Sequence, residues 1–336
     1  MFEILHGGMQ STVQDVGRPG YGATGMPVCG TADRFSLAIA NLLVGNDPGE
    51  RYLVGENPGD AGIETLIYGL RLKSLGDTVI AITGADLMPT LNGEPLPMWQ
   101  TVRVRADDVI TFRRPQTGAR AYLAIAGGID VPVWAGSRST YIRGGVGGFE
   151  GRAFRKGDII RVNTPKRSFD DLAGRRLSPD LIPALRSPWQ VRVVLGPHDY
   201  LFLDEGIETF LSVDWEMSDL SDRMGCRFRG AKLSFKPRPD YLIAQAGTDP
   251  SNVVDSGVVI GGIQVPGGME PIVLHADGPS MGGYVVIATV ISADLGKVGQ
   301  IKPSEKARFV AVDTDEAVDA LKELEDAISE RNIVQK

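Results

Sequence analysis

Two glycine-rich, arginine-bearing segments carry the residue types suited to gripping a small anion or carbonyl compound. The first, residues 12–33 (TVQDVGRPGYGATGMPVCGTAD), sets Arg18 and Asp33 in a run crowded with glycine and proline. Glycine reaches backbone angles closed to other residues and lets a ligand approach the main chain; proline fixes its own φ and biases its predecessor toward extended geometry. The run therefore predicts a shaped loop, with Arg18 and Asp33 able to pair across it; the plain alternative is a string of ordinary turns. The second, residues 136–140 (GSRST), precedes Arg143 and the run 144–151 (GGVGGFEG). Backbone N–H groups there, with Arg138 and Ser139, would hold a carboxylate or phosphate. Taken alone the glycine run is a flexible turn, because it misses the G-x-G-x-x-G spacing and has no βαβ frame.

The second half offers a different set. Arg223 lies in SDRMG (221–225) beside Asp222, where it would either orient an anionic or carbonyl substrate or pair at the surface with Asp222 or Asp219. An exposed pair would contribute little to stability. His198 follows Gly196-Pro197 and is either a proton carrier or a strand-end residue satisfying the backbone. Gln264 and Tyr284 supply neutral hydrogen-bonding groups of the kind an amide or ureido ligand needs. Residues 278–282 (GPSMG) match the G-x-S-x-G nucleophile elbow, but no histidine follows His275, so the serine-before-histidine order of that fold is impossible. A tight turn is expected there. His6, His198 and His275 are far apart, with no HExxH and no paired cysteines, so no metal site is expected. No Walker A sequence occurs.

The chain around these residues has 336 residues, a net charge of −7, two cysteines (Cys29 and Cys226), 42 glycines and 21 prolines. The length suits two domains. An acidic balance argues against a nucleic-acid footprint and against a polybasic membrane anchor. Two cysteines make no disulfide framework, and with no secretory leader pattern and no long apolar run the expectation is a reduced, cytoplasmic, non-membrane protein.

The elements that must position the site read mostly as strands and turns. Residues 78–83 (TVIAIT), 121–126 (AYLAIA), 191–195, 253–260 and 271–275 are short apolar or β-branched runs bounded by turn formers. Asn92-Gly93 is a hairpin-type pair. Helices are expected over 32–44, over 199–211 and from 314 onward, the last opened by an Asp313–Glu316 capping box. Residues 163–190, basic and rich in proline, read as a connection between two β-rich halves.

TVQD (12–15), GRPGY (17–21), residues 30–33, NLLVGN (41–46), ITGAD (82–86), AGGID (126–130), GSRST, LGPHD (195–199), SDRMG, GIQVP (262–266) and GGY (282–284) follow in that order over nearly the whole chain. Together they resemble the KipA-like family, which includes the C subunit of 5-oxoprolinase, allophanate hydrolase subunit 2 and the carboxyltransferase part of urea carboxylase. That resemblance implies a mainly β protein with few helices, built as two cyclophilin-like β-barrel subdomains. The expected division is 1–165 and 191–312, a linker 166–190 and a C-terminal helix 313–336. It implies catalytic roles for Arg223, His198 and Asp222, and substrate or anion binding by Arg18, Asp33, Arg138, Ser139, Gln264 and Tyr284.

Three activities follow from it. The first is ATP-dependent opening of 5-oxoproline or a related amide, with a KipI-like (allophanate hydrolase subunit 1-like) partner, a LamB-like partner and ATP handled by the complex. The second is biotin-dependent carboxyl transfer to a urea-like nitrogen, with the carrier on another chain because no Met-Lys-Met occurs here. The third is a non-catalytic antagonist of a sensor-kinase inhibitor. The family often carries Asp-Arg-Gln before Gly-Gly-Tyr; Asp277-Gly278-Pro279-Ser280 here is closer to the urea carboxylase version.

Overall fold

The computed structural model of the chain describes residues 1–50 and 57–335. Two compact units emerge: Met1–Gly20 with Cys29–Leu185 and Leu324–Lys336, and Tyr21–Val28 with Arg186–Glu323. Both are mainly β with few helices, as expected.

The first unit is built on two sheets. One runs, edge to edge, Ile159–Ile160, Phe2–Gly7, Leu70–Ser74, Val109–Thr111, Thr90–Leu91 and Glu94–Pro95; the other runs Gln10–Gln14, Gly62–Leu66, Thr117–Ile125, Thr78–Asp86 and Thr101–Val104. Phe2, Ile4, Leu70 and Leu72 of the first sheet pack with Val13, Ile63, Ile80, Ile82 and Leu123 of the second in one core. The second sheet is covered on its other face as well. There Val79, Ala81, Ala124 and Ala126 meet Ile39, Leu42 and Leu43 of the helix Arg34–Leu43. Burial on both faces explains why TVIAIT and AYLAIA are continuous apolar runs rather than alternating ones.

Asp33 caps that helix, accepting from Ser36 N (3.1 Å) and Ser36 Oγ (2.6 Å), and fixes where it starts. The hairpin at Asn92-Gly93 forms as read, with φ of +53° and +95° between Thr90–Leu91 and Glu94–Pro95. Both positive angles suit a type I′ turn. Residues 163–190 are more structured than a bare connection. They hold the short helix Phe169–Leu172 and the strand Arg175–Leu177, which pairs with Ile333–Gln335.

The second unit is a closed barrel: Trp189–Leu195, Val286–Val290, Gly262–Gln264, Ile272–Leu274, Gly225–Arg229, Trp215–Met217 and Lys306–Ala311, the last pairing parallel with the first. Closure removes sheet edges. Phe210, from the helix Asp204–Ser212, stacks on Phe309 at 4.8 Å, and Phe309 meets Phe228 edge-on at 5.6 Å. The helix expected over 199–211 is split: a 3-10 turn covers Asp199–Leu201 and the α-helix begins at Asp204. An extended two-stranded ribbon, Asn252–Gly257 with Met281–Tyr284, stands outside the barrel. The helix Thr314–Ala327 opens on the expected reciprocal cap, with Asp313 N donating to Glu316 Oε2 (3.0 Å) and Glu316 N to Asp313 Oδ1 (2.8 Å).

Candidate functional site

Asp15, just beyond the strand Gln10–Gln14, organises the site in the first unit. Its side chain is inaccessible and accepts from Gly17 N (2.8 Å), Ser137 Oγ (2.6 Å), Arg138 N (2.6 Å) and Ser139 Oγ. Burial pushes its carboxyl above the ordinary value, and these hydrogen bonds pull it back. The donors of GSRST thus serve the protein's own Asp15 carboxyl group. Ser139 completes the knot, its Oγ accepting from Asp15 N (3.2 Å). The loop meets the strand here because Thr140 N donates to Val13 O (3.0 Å).

Arg18 lies in the same knot with only 1% of its surface exposed. Nη2 donates to Ser139 O (2.5 Å), Nε reaches Trp134 O (3.4 Å), and the guanidinium carbon stands 5.2 Å from the centre of the Trp134 ring. Nη1 is buried and has no hydrogen-bond partner among the described residues. Gln14 gives the complementary case. Its Nε2 donates to Thr12 Oγ1 (3.0 Å) and Thr140 O (3.3 Å), while its buried Oε1 has no partner among the described residues. Arg18 and Gln14 thus hang from successive carbonyls, 139 and 140, one with an unused donor and the other with an unused acceptor. A buried polar atom left alone is costly, so two in one knot mark a place built for something else to enter.

Trp134 and Gly147 belong to the lining of an open groove of about 710 Å³, with residues 130–132, the rest of 145–151, Ile159 and Arg161. Gly147 has φ +70°, and a Cβ on it would collide with Ser139 O and stand 2.8 Å from Arg18 Nη2. Only glycine lets the main chain pass this close to the guanidinium. The GGVGGFEG run is accordingly a series of tight turns against the Arg18 seat, closed by the Tyr141–Val146 bridge.

Arg18 and Asp33 do not pair across the opening loop: Asp33 accepts from Ser36 at the helix start, while Arg18 donates to carbonyls and stands against an indole. Arg138 contributes its backbone N–H to Asp15, with its side chain half-buried.

In the second unit Arg223 is 4% exposed, and its fork is occupied: Nε donates to Asp277 Oδ2 and Nη2 to Asp277 Oδ1, both at 2.9 Å. The partner is neither Asp222 nor Asp219. Asp222 accepts from Met224 N (2.8 Å) and Gly225 N (3.2 Å), closing a turn, while Asp219 pairs with Arg229 at 3.1 Å. Asp277 N also donates to Arg223 O (2.8 Å), so the GPSMG segment is a turn clamped to SDRMG.

His198 is half-buried, and its Nδ1 accepts from Val286 N (3.0 Å). Burial lowers its pKa below 6.5, against the raising effect of Asp199. A neutral ring protonated on Nε2 fits that bond. Gln264, on a barrel strand, is 6% exposed, and its Nε2 is buried with no partner among the described residues. Gly282 packs directly against that amide, where any side chain would collide with it. Tyr284 is 42% exposed and lines a separate open groove with Arg227, Arg229, Pro266 and Met269.

Sequence reasoning passed over Asp15, Gln14, Trp134 and Asp277 as site residues. For Asp15 a signal existed: an acid directly after the strand Gln10–Gln14 and two residues before glycine. For Asp277 nothing local pointed to Arg223.

Compared with known proteins, the chain matches the family model described as carboxyltransferase domain, subdomain A and B, over residues 24–311. The chain belongs to this carboxyltransferase-domain family. The KipA-like resemblance read from its motifs is thereby borne out. It is 36% identical to the urea amidolyase of Lachancea kluyveri over 98% of its own length, which is 18% of that protein. It is 33% identical to the C subunit of Escherichia coli 5-oxoprolinase over 95% of its length and 94% of that protein. The chain thus spans about a fifth of the first curated relatives it matches and nearly all of the second kind. Among solved structures, Kluyveromyces lactis urea carboxylase superposes on 100% of this chain and 30% of its own, with TM-score 0.87 and 33% identity. Among the described residues, no helix is long and apolar enough to cross a membrane.

Proposed function

We propose that this carboxyltransferase-family chain binds a small ureido or amide compound in the first unit and takes part in carboxyl transfer to its nitrogen. The observation that carries this reading is the unused pair in the Asp15 knot, Arg18 Nη1 and Gln14 Oε1. A ureido group needs a donor to its carbonyl oxygen and an acceptor for its N–H, and that is the pair left over. Arg18, desolvated and positively charged, would polarise the carbonyl as negative charge develops on oxygen. Gln14 would orient the nitrogen. Asp15 is unsuited to act as a base, because its oxygens already serve four donors. Its part is to keep the loop, and hence Arg18, in position.

Biotin is the cofactor this reading requires; its head is itself a ureido ring, and the Arg18 and Gln14 pair would hold one ureido group at a time, the ring or the acceptor. When bound, it supplies the carboxyl group to be moved. ATP would be handled by companion chains.

A second reading is favoured by one observation: the match to the 5-oxoprolinase C subunit spans 94% of that protein. There the same Arg18 and Gln14 would hold a lactam amide, and the companions would be KipI-like and LamB-like chains. Two parallel assays separate these readings. The chain is combined with a biotin carboxylase and biotin carrier and assayed for urea-dependent fixation of labelled bicarbonate. In parallel it is combined with KipI-like and LamB-like chains and assayed for ATP-dependent glutamate release from 5-oxoproline. Fixation without glutamate release supports the first reading; glutamate release alone overturns it in favour of the second.

A further inference from the structure

A second cavity in the first unit, of about 440 Å³, is lined by none of the residues of the Arg18 seat. Its size falls within the range of about 300–1,000 Å³ typical of small-molecule sites and is too small for a folded partner. Its apolar side is made by Leu96, Met98 and Trp99, with Leu96 and Trp99 only 5% and 7% exposed. Trp99 is braced from behind by Phe35, with ring centres 6.1 Å apart. Ile182 closes the apolar side from the 163–190 segment.

Two opposite charges, Asp86 and Arg113, stand on the lining of the same cavity. Neither side chain has an ion-pair partner among the described residues, and they do not pair with each other. Asp86 Oδ1 accepts from Met88 N (2.8 Å), which leaves its second oxygen unused. The backbone is held in an awkward shape around them: Met88 and Trp99, both lining residues, have φ of +49° and +58°. Side chains of this size rarely adopt such angles, and where they do the surroundings over-determine them. Main-chain bonds from Leu96 N to Pro89 O (2.9 Å) and from Trp99 N to Ile82 O (2.8 Å) provide that constraint.

We propose that this cavity binds an apolar α-amino acid as its zwitterion. Arg113 takes the carboxylate in its planar fork, Asp86 takes the ammonium, and the side chain lies on Leu96, Met98 and Trp99. A ligand with one charge would leave the other lining charge without a counter-charge, and an apolar side chain suits the Leu96, Met98 and Trp99 side of the cavity.

The test uses the full chain with L-leucine and L-phenylalanine as probes, followed by calorimetry and by tryptophan fluorescence. Saturable binding is expected with a Kd below about 1 mM. Phenylalaninamide, which lacks the carboxylate, and 3-phenylpropanoate, which lacks the ammonium, should each bind at least about tenfold more weakly. Arg113→Gln and Asp86→Asn should weaken the amino acids by a similar factor; Asn keeps the oxygen that holds Met88 N. Trp99→Phe should remove the fluorescence change while retaining the calorimetric signal. Absence of saturable binding with either amino acid overturns the proposal. So does equal affinity for 3-phenylpropanoate, or unchanged affinity in both charge variants with unaltered melting. The readout is binding alone, so its failure is distinguishable from failure of the carboxyl-transfer reading.

Discussion

Arg18 in the first unit and Arg223 in the second are both nearly inaccessible, at 1% and 4% exposure, yet their guanidinium groups are differently employed. Arg223 meets a carboxylate edge to edge, so its charge is neutralised within the second unit by Asp277. Arg18 has only carbonyls and an indole face, which accept its hydrogens without cancelling its charge. The acid in its knot, Asp15, is consumed by hydroxyls and backbone N–H groups. A buried arginine paired with a carboxylate holds structure together; one denied a carboxylate keeps both charge and a spare N–H for an incoming oxygen. Burial and residue type alone do not separate these roles, and the identity of the partners does.

The contrast can be broken most forcefully at Asp277. Asp277→Ala removes the carboxylate that takes Nε and Nη2 of buried Arg223, and a loss of about 3 kcal/mol is expected in denaturant unfolding. Replacing both partners by Met and Leu should recover most of it; a wild-type midpoint for Asp277→Ala alone would remove the structural role assigned to the pair. Next in size is Arg18→Lys. A point charge cannot serve Ser139 O, Trp134 O and a ligand together, so kcat/KM should fall about 100-fold while the melting temperature stays close to that of the parent. If stability collapses instead, Arg18 holds the loop together rather than serving a ligand.

Gln264→Ala sharpens the comparison further. Its Nε2 has no partner among the described residues, so its removal should cost little stability, and with the proposed site in the first unit turnover should stay close to that of the parent. Clearly reduced stability would make it packing material for Gly282. The smallest effect belongs to His198. Its pKa in the fold lies below 6.5, so on acidification the unfolded chain takes up the proton first, and stability falls as pH drops through that region. His198→Gln, which keeps an acceptor for Val286 N, should flatten the pH dependence of the melting temperature. A steeper slope in the variant would contradict the assignment.

How much was legible in advance follows interaction range. The cap Asp313–Glu316, the Asn92-Gly93 turn and the apolar strands could be read because their partners lie within a few residues or repeat with a simple period. The helix expected over 199–211 failed at its start because the 199–201 turn and the Asp204 helix are separate, with Leu203 N between them donating to Ser234 O (3.0 Å), a partner 31 residues away. Arg223 was singled out correctly as unusual, but its partner lies 54 residues away in a turn that reads as a hydrolase motif. The Asp15 knot spans more than 120 residues, from 15 to 137 and 139.

By itself the sequence determined the family, the mainly β character, the turns and the identity of the arginines, because these depend on composition, short-range geometry and ordered motifs. Only the tertiary structure decided which arginine is neutralised and which keeps an unused hydrogen, because strand register and loop closure set which distant acids, hydroxyls and carbonyls come within about 3 Å. That distance, rather than residue type, decides whether a buried charge is matched by the protein or left for a ligand.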